Sequence, residues 1–528
     1  MLNLKILCNK KFTKCKDPYF FKGVSTLIGA SLMNFIIGGI YSLTTLSVYE
    51  ISYIKGIGGS ISIDHLTFYY PVEVFFQCIS AFISGIIYKE IGLHLTNFIG
   101  ISILSLGYSV MYFSKNLFLD ILSMILGGIG TGIILYPSTT NSYEWFKEHN
   151  GIIVGIMETM ISLGSFFFAF VGEKIINRNE IPSNDEDNLY DISIGQKIKI
   201  YLIVQIIALI SVFFLSIILM YEKSKNNENN ENNFLDEKNE ITINPDIKIL
   251  DSEKEELEND MEKNISNNKE KEDITSKKVT DEISPIKNDS PERLVKYVLN
   301  KIDFGRKKNN ENKQVKKILL AALKSKRLIL FSLIAIMEAP TSNMAFTLYR
   351  EIGEYKKIDV KYLQLIGSLY FIFECLSSFV FGILCDYVKL KYLLLFINTV
   401  GTIVGLTYYL TFENGLIFFL VQNFLSFSAG GYYPVKDCFL MQVFGKNVYI
   451  ELSGIVSFAV ALTVNIVTPI TYYVISSYEE KETAYLILFI SFGCINLIGT
   501  ISNCFLDETP IDLEKEVKNR NKKNRIYN

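Results

Sequence analysis

The sequence predicts an all-α membrane protein of twelve transmembrane helices, arranged as two parallel six-helix halves. Three observations carry that reading. Hydrophobic residues make up 49% of the 528 residues, with 38 Phe and 31 Tyr but one Trp. They fall in blocks of roughly twenty, the length a helix needs to cross ~30 Å of hydrocarbon. The charged residues, 20% of the chain, are segregated from those blocks, so a mean hydropathy of +0.26 averages two unlike kinds of sequence. Finally, one segment is spelled twice: FQCISAFISGI at 76–86 and FECLSSFVFGI at 373–383 share Phe, Cys, Ser, Phe, Gly and Ile in step, at an offset of 297.

Taken in order, the apolar spans cover about 22–49, 64–87, 94–113, 117–141, 150–173 and 197–221, then about 327–349, 362–386, 391–411, 415–439, 448–475 and 484–506. They divide the chain into a basic tail (1–21), a first bundle (22–221), a polar insert (222–326), a second bundle (327–506) and a second basic tail (507–528). The opening MLNLKILCNKKFTKCKDP is too basic, and its apolar run too short, for a cleaved signal peptide. The first span therefore reads as an uncleaved anchor. Lys5, Lys10, Lys11, Lys14 and Lys16 precede it, Lys389 and Lys391 join spans eight and nine, and EKEVKNRNKKNR follows the last span. The connection 174–196 instead carries SNDEDNLYD. By the positive-inside rule both termini lie in the cytosol, and the lipid bilayer is the protein's solvent.

The insert holds runs such as KSKNNENNENN, with too few apolar groups to offset the entropy of ordering. Within it, Ser290-Pro291-Glu292 has the form of a helix start. Leu294, Val295, Val298, Leu299 and Ile302 then make one apolar stripe. That stripe reads either as a helix lying under the bundle or on the membrane, or as a transient linker helix. Cys8 and Cys15 in the first tail read as plain thiols, with acylation the alternative.

Several function classes are excluded by what the blocks contain. A net charge of −3 averages over unlike parts and points to no nucleic-acid partner. The eight Cys form no CxxC pair and no metal-ligand spacing with His65, His94 and His149. No nucleophile–histidine arrangement or phosphate loop is present either, so neither an enzyme, nor a metal centre, nor a cofactor site is expected.

The repeat extends beyond one segment. Tyr136-Pro137 in span four meets Tyr433-Pro434 in span ten, and Asn150 meets Asn447, at the same offset of 297. An even number of crossings separates the copies, so both halves point the same way. That geometry is a parallel repeat about an axis along the membrane normal. It predicts a solute site between the halves near the midplane, exposed to alternate sides by rocking.

This layout resembles the major facilitator superfamily. Its signature between spans two and three, G-x-x-x-D-[RK]-x-G-[RK]-[RK], is similar to GILCDYVKLK (Gly382, Asp386, Lys389, Lys391) and, in altered form, to GIIYKEIGLH (Gly85–His94). The resemblance implies a cytosolic gate in which the carboxylate faces a neighbouring helix N-terminus, where the dipole favours negative charge. Asp386 suits that role. Lys89 has the wrong sign at the corresponding place, which leaves Glu90. Within the superfamily, GGIYS (Gly38–Ser42), GGIGTGIILYP (Gly127–Pro137) and WFKEHNGIIVGI (Trp145–Ile156) are most similar to the monocarboxylate and oxalate:formate antiporter group. That group places Arg or Lys in spans eight and eleven, or one and eight; here spans eight and eleven hold no cation. Lys436, beside Asp437 in span ten, reads as a gate salt bridge.

Ionisable groups inside a membrane are costly and are site candidates by default. Glu338 lies midway along span seven, in MEAPTSN, where Pro340 frees backbone carbonyls and Thr341, Ser342 and Asn343 add polar groups. Glu374 lies midway along span eight, opposite the neutral Gln77 in the repeat. Glu73 and Glu158 sit nearer span ends, and Asn34 and Tyr41 offer polar contacts in span one. The structural alternative for each is a satisfied core hydrogen bond. Gly127, Gly128, Gly130 and Gly132 read as close-packing positions, and Pro71, Pro137, Pro340, Pro434 and Pro469 as bends. A carboxyl shielded from water can load and release a proton, so Glu338 or Glu374 is expected to couple transport to protons. The resemblance implies a small-molecule solute, an organic anion of the monocarboxylate kind. The alternatives are an amino acid or cationic metabolite on the same fold, or a transporter-like receptor or scaffold.

Overall fold

The computed structural model describes residues 18–59, 66–146, 149–179, 181, 189–222, 316–513 and 515. Cys8, Cys15, His65 and the helix expected around Ser290–Ile302 lie outside the described residues.

Twelve helical spans among the described residues are long and apolar enough to cross a membrane. The first half contains α1 (Pro18–Gly56), α2 (Leu66–Ile91), α3 (Leu93–Tyr112), α4 (Leu117–Trp145), α5 (Asn150–Ile176) and α6 (Ile198–Leu219). The second contains α7 (Lys326–Tyr355), α8 (Val360–Tyr387), α9 (Leu390–Thr407), α10 (Gly415–Gly430), α11 (Tyr432–Phe444), α12 (Tyr449–Ser477) and α13 (Lys481–Asn503). Here α10 and α11 share the tenth span, where a single helix was expected.

Helices are the solution because lipid offers the backbone no hydrogen-bond partners. Their starts are capped where the sequence supplies a short polar side chain. Asn116 accepts from the Leu119 amide at 3.0 Å, and Asn414 accepts from the Leu416 and Ile417 amides at 3.0 and 3.2 Å. Inside the spans, Pro137 and Pro434 lack the amide that would bond the carbonyls of Ile133 and Gly430. A serine from the neighbouring helix takes each place: Ser84 of α2 donates to Ile133 O at 3.0 Å, and Ser378 of α8 donates to Gly430 O at 3.2 Å. The two halves thus solve the same backbone problem in the same way.

Helix contacts repeat between halves. In the first, α1 packs on α5 and α6, α2 on α4, and α3 on α6. In the second, α7 packs on α12 and α13, α8 on α10, and α9 on α13. The halves meet along two seams, α2 against α12 and α5 against α8, and exchanging the halves turns one seam into the other. Such an interface follows from a two-fold relation. On the outside, Phe98, Ile207, Phe214, Ile403 and Ile498 are all exposed; in water they would be a liability, but facing acyl chains they are the expected surface.

The helices begin and end at two faces. The face that holds the start of α1 and the end of α13 is here called the tail face. Residues 316–323, placed in the polar insert by composition, are helical, and Ile318, Ala321 and Ala322 are buried in the core. The run ILLAAL is apolar enough to join the bundle although its basic flank is not. Beyond α13, Asp507 pairs with Arg327 and the Ile511 amide donates to Val443 O at 2.9 Å.

The proline account is testable. Ser84→Ala should lower thermal stability in detergent by about 0.5–2 kcal/mol. In a Pro137→Ala background, where the backbone amide returns, the same change should cost close to nothing; an equal loss in both backgrounds would refute the account.

Candidate functional site

At the tail face the seams are tied by charged groups at helix starts. Asp386, at the end of α8, accepts from the Gly151 and Ile152 amides of α5 at 2.8 and 3.1 Å. Those amides have no partner within the helix, and the dipole favours the carboxylate. The approach is close because both sides are glycine: a Cβ on Gly155 would lie 2.8 Å from Gly382 Cα. On the other seam, the last turn of α2 carries Lys89, the repeat counterpart of Asp386. Lys89 pairs with Glu451 in the first turn of α12, and its Nζ donates to Asn447 O at 2.7 Å.

The bracing residue of the first half is therefore Lys89, not Glu90, which is exposed. A cation can serve here because Glu451 supplies the missing negative charge at the helix start. Lys446 adds a link across the halves, donating to Tyr143 O at 3.2 Å. Lys389 is exposed. Lys391 works within the second half: its Nζ donates to Cys504 O at 2.5 Å and its amide to Glu508 at 3.1 Å. Neither joins the seams.

Above this seal lies a cavity of about 350 Å³ between the halves, at the small end of the ~300–1,000 Å³ usual for ligand sites. Its polar walls come from both halves: Tyr41 of α1, Gln77 of α2, Glu158 of α5, Asn343 of α7, Glu374 of α8 and Lys436 of α11. Gln77 Nε2 donates to the Tyr41 hydroxyl. The cavity also reaches Thr45 and Thr347, both exposed, toward the opposite face. Core packing shows the same polarity. The first half shares one apolar cluster with the tail-face part of the second, whereas the rest of the second half packs a cluster of its own. The halves are closed together at the tail face, and beyond it the cavity lies between them, with α2 and α12 still in touch where Asn465 Nδ2 donates to Pro71 O at 3.0 Å.

Lys436 is buried and is the one cation lining the cavity among the described residues. It stands 3.4 Å from Asp437 Oδ1, 3.4 Å from the Tyr136 hydroxyl and 3.1 Å from Ser457 Oγ. The rings of Tyr136 and Tyr433, partners in the repeat, lie 5.6 and 5.9 Å from its Nζ. Asp437 turns the other way and accepts from Tyr449 at 2.7 Å and Ser453 at 2.9 Å. The pair expected to be a gate salt bridge is thus half cavity wall and half anchor to the start of α12. Lys436 follows Tyr433 by three residues, one helical turn, which is the sequence signal that places it on the cavity side.

Three predicted contacts lie off the cavity. Glu338 is buried and accepts from Ser342 in its own helix. At ~100° per residue it sits roughly 140° round the helix from Asn343 and ~180° from Thr347, which are the residues α7 presents to the cavity. Asn34 is buried two turns nearer the tail face, where its Nδ2 donates to Met157 O at 3.3 Å. Glu73 is buried behind the wall, within electrostatic reach of Tyr41 and Tyr108. Sequence reasoning missed the aromatic wall of Tyr70, Tyr370 and Tyr433 around Glu374. The repeated Tyr-Pro pair was its visible trace.

Two parallel six-helix halves enclosing a central polar cavity define the major facilitator fold, and comparison with known proteins agrees. A sequence profile of the Major Facilitator Superfamily matches residues 328–526. Among solved structures, the proton:xylose symporter XylE bound to 6-bromo-6-deoxy-D-glucose superposes with a TM-score of 0.59 at 14% identity, over 93% of this chain and 98% of that one. The transporter FucP in its outward conformation superposes with a TM-score of 0.55 at 13% identity, over 90% and 99%. The MFS-type transporter opdF of Penicillium oxalicum is 27% identical over 154 residues. That match spans 35% of the relative's length and 29% of this chain. The profile covers the second half of the chain, and the solved structures share its fold over 90% or more of its length.

The seal carries its own test. Lys89→Glu or Glu451→Lys should loosen the α2–α12 seam and raise labelling of a cysteine introduced at the tail face by an impermeant maleimide several-fold. The exchanged pair, K89E with E451K, should return labelling toward that of the unaltered protein. Additive rather than compensating effects would show that the contact does not hold the seam.

Proposed function

We propose that the protein transports a small organic solute bearing a carboxylate, monocarboxylate-like, by alternating access. The observation that carries this reading is Lys436, a buried cation on the wall of a cavity shared by both halves. A desolvated ammonium with hydroxyl neighbours is suited to bind a carboxylate through charge-assisted hydrogen bonds. It fills the role left open by spans eight and eleven, which hold no cation. Glu158 and Glu374 on the same wall are placed to take up and release protons as the cavity changes sides. The two named structural relatives that are symporters couple their solutes to protons in the same fold.

Under the positive-inside rule the basic tail face is taken as the cytosolic one; on that reading the arrangement is closed toward the cytosol, with its cavity directed to the other side. Rocking about the two seams would release the Asp386 and Lys89 contacts and open the tail face.

Counterflow in proteoliposomes tests the proposal, with labelled lactate, formate and oxalate offered at two pH values. Exchange of at least one of them is expected. Lys436→Gln should reduce it by about tenfold or more, since a lost charge-assisted bond is worth ~1.5–3 kcal/mol. Binding without exchange would identify a receptor instead, and full activity in K436Q would remove the assigned anchor.

A further inference from the structure

The cavity holds one cation and two carboxyls, Lys436 against Glu158 and Glu374, and these are not interchangeable in position. Lys436 sits with the hydroxyls of Tyr136 and Ser457. Glu374 sits among tyrosines: Tyr70, Tyr370 and Tyr433 all feel its charge and all line the cavity. Tyr433 borders both regions, because its ring also lies 5.9 Å from Lys436 Nζ. Glu158 lines the same cavity, within electrostatic reach of both Lys436 and Glu374. The wall is therefore bipolar, with an ammonium and hydroxyl donors in one part and a carboxyl in the company of three tyrosines in the other.

Each part selects a different charge. The first suits a carboxylate. The second suits a cation, because tyrosine faces and a carboxylate attract an ammonium together, and do so more strongly away from water. A bare anion entering this space would meet two carboxyls against one cation. A solute that carries its own positive charge would meet no such excess.

We propose that the solute of this cavity is a small zwitterion of the α-amino-acid type, its carboxylate on Lys436 and its ammonium at Glu374 among Tyr70, Tyr370 and Tyr433. This rests on the carboxylate-transport reading above and narrows it. Glu158, on the same cavity wall, is then the carboxyl left to exchange a proton while both ends of the solute are held.

Matched pairs differing in the ammonium alone decide the matter: glycine against acetate, leucine against 4-methylpentanoate, and phenylalanine against 3-phenylpropanoate. Binding to the purified full-length protein is read as ligand-induced thermal stabilisation, and transport as counterflow in proteoliposomes. In at least one pair the amine-bearing member should bind about tenfold or more tightly, the ratio that ~1.4 kcal/mol represents. Glu374→Gln should bring that ratio close to one, and because it is a ratio, a loss common to both members cancels. A ratio at or below one in the unaltered protein overturns the proposal by itself. If E374Q folds poorly, Glu374→Asp, which keeps the charge and should keep the ratio above one, is read beside Glu374→Ala, which should not. Equal or tighter binding of the acids without nitrogen would overturn the zwitterion while leaving carboxylate transport standing. So would a preference for the amine that E374Q does not change. No binding or exchange by any member of any pair would overturn both.

Discussion

Two helix seams, α2 against α12 and α5 against α8, set the terms for the rest of this molecule. Within lipid there is little hydrophobic gain in bringing two halves together, because acyl chains are as apolar as the helices. The halves must be held by close backbone approach and by a few polar contacts. Gly155 and Gly382 provide the first, and the carboxylate of Asp386 on the α5 amides provides the second. Such contacts are local and geometrically demanding, so they can be made at one face at a time. This structure is closed at the tail face, where its charged seam contacts gather, and a neutral bond, Asn465 to Pro71 O at 3.0 Å, ties α12 to α2 toward the other side.

The repeat supplies a scaffold, and the chain then departs from it where chemistry is needed. Ser84 and Ser378 answer Pro137 and Pro434 in the same manner, and Tyr136 and Tyr433 flank the same ammonium. Elsewhere the counterparts differ in charge. Asp386 is matched by Lys89, which reaches the opposite seam through Glu451 instead of through bare amides. Lys436 and Asp437 are matched by Thr139 and Thr140, so only one half brings an ion pair to the cavity. A symmetric cavity would offer equivalent walls to a solute. This one presents distinct ends.

Much of the fold was legible because membrane burial imposes a simple rule on the sequence: each span must be apolar over about twenty residues. The twelve spans and the parallel repeat could be read from that rule and one constant offset. What escaped depended on rotation about helix axes. Glu338 looked central by depth, but depth does not say which way a side chain faces, and α7 turns Asn343 and Thr347 to the cavity instead. Glu374, singled out as a carboxyl inside a span, and Gln77, its counterpart in the repeat, do line it. Lys89 was misread because a charge of unexpected sign was judged alone, without Glu451, which lies 362 positions away. Pairs that distant are invisible to local pattern. The break at Gly431 went unread although Gly430-Gly431 and Pro434 mark it, because the length of the span suggested one continuous helix.

A continuous set of contacts joins the cavity to the seal. Lys436 lies 3.4 Å from Asp437, and Asp437 is held at 2.7 Å by Tyr449 and at 2.9 Å by Ser453. Both stand in the first turns of α12, on either side of Glu451, the partner of Lys89. Under the proposed cycle, a solute carboxylate on Lys436 competes with Asp437 for that ammonium. Asp437 then depends more heavily on Tyr449 and Ser453, and its pull on the start of α12 changes. The same short stretch of α12 that senses the cavity also carries the brace of one seam. The other seam is joined at cavity level too, where Thr159 of α5 donates to Cys375 O of α8 at 3.3 Å, next to Glu374. Occupancy at Lys436 would accordingly be felt on the α2–α12 side, and occupancy at Glu374 on the α5–α8 side. In a fold built from equivalent halves, the departure from symmetry at Lys89, Lys436 and Asp437 is what gives the solute a defined route to the gate.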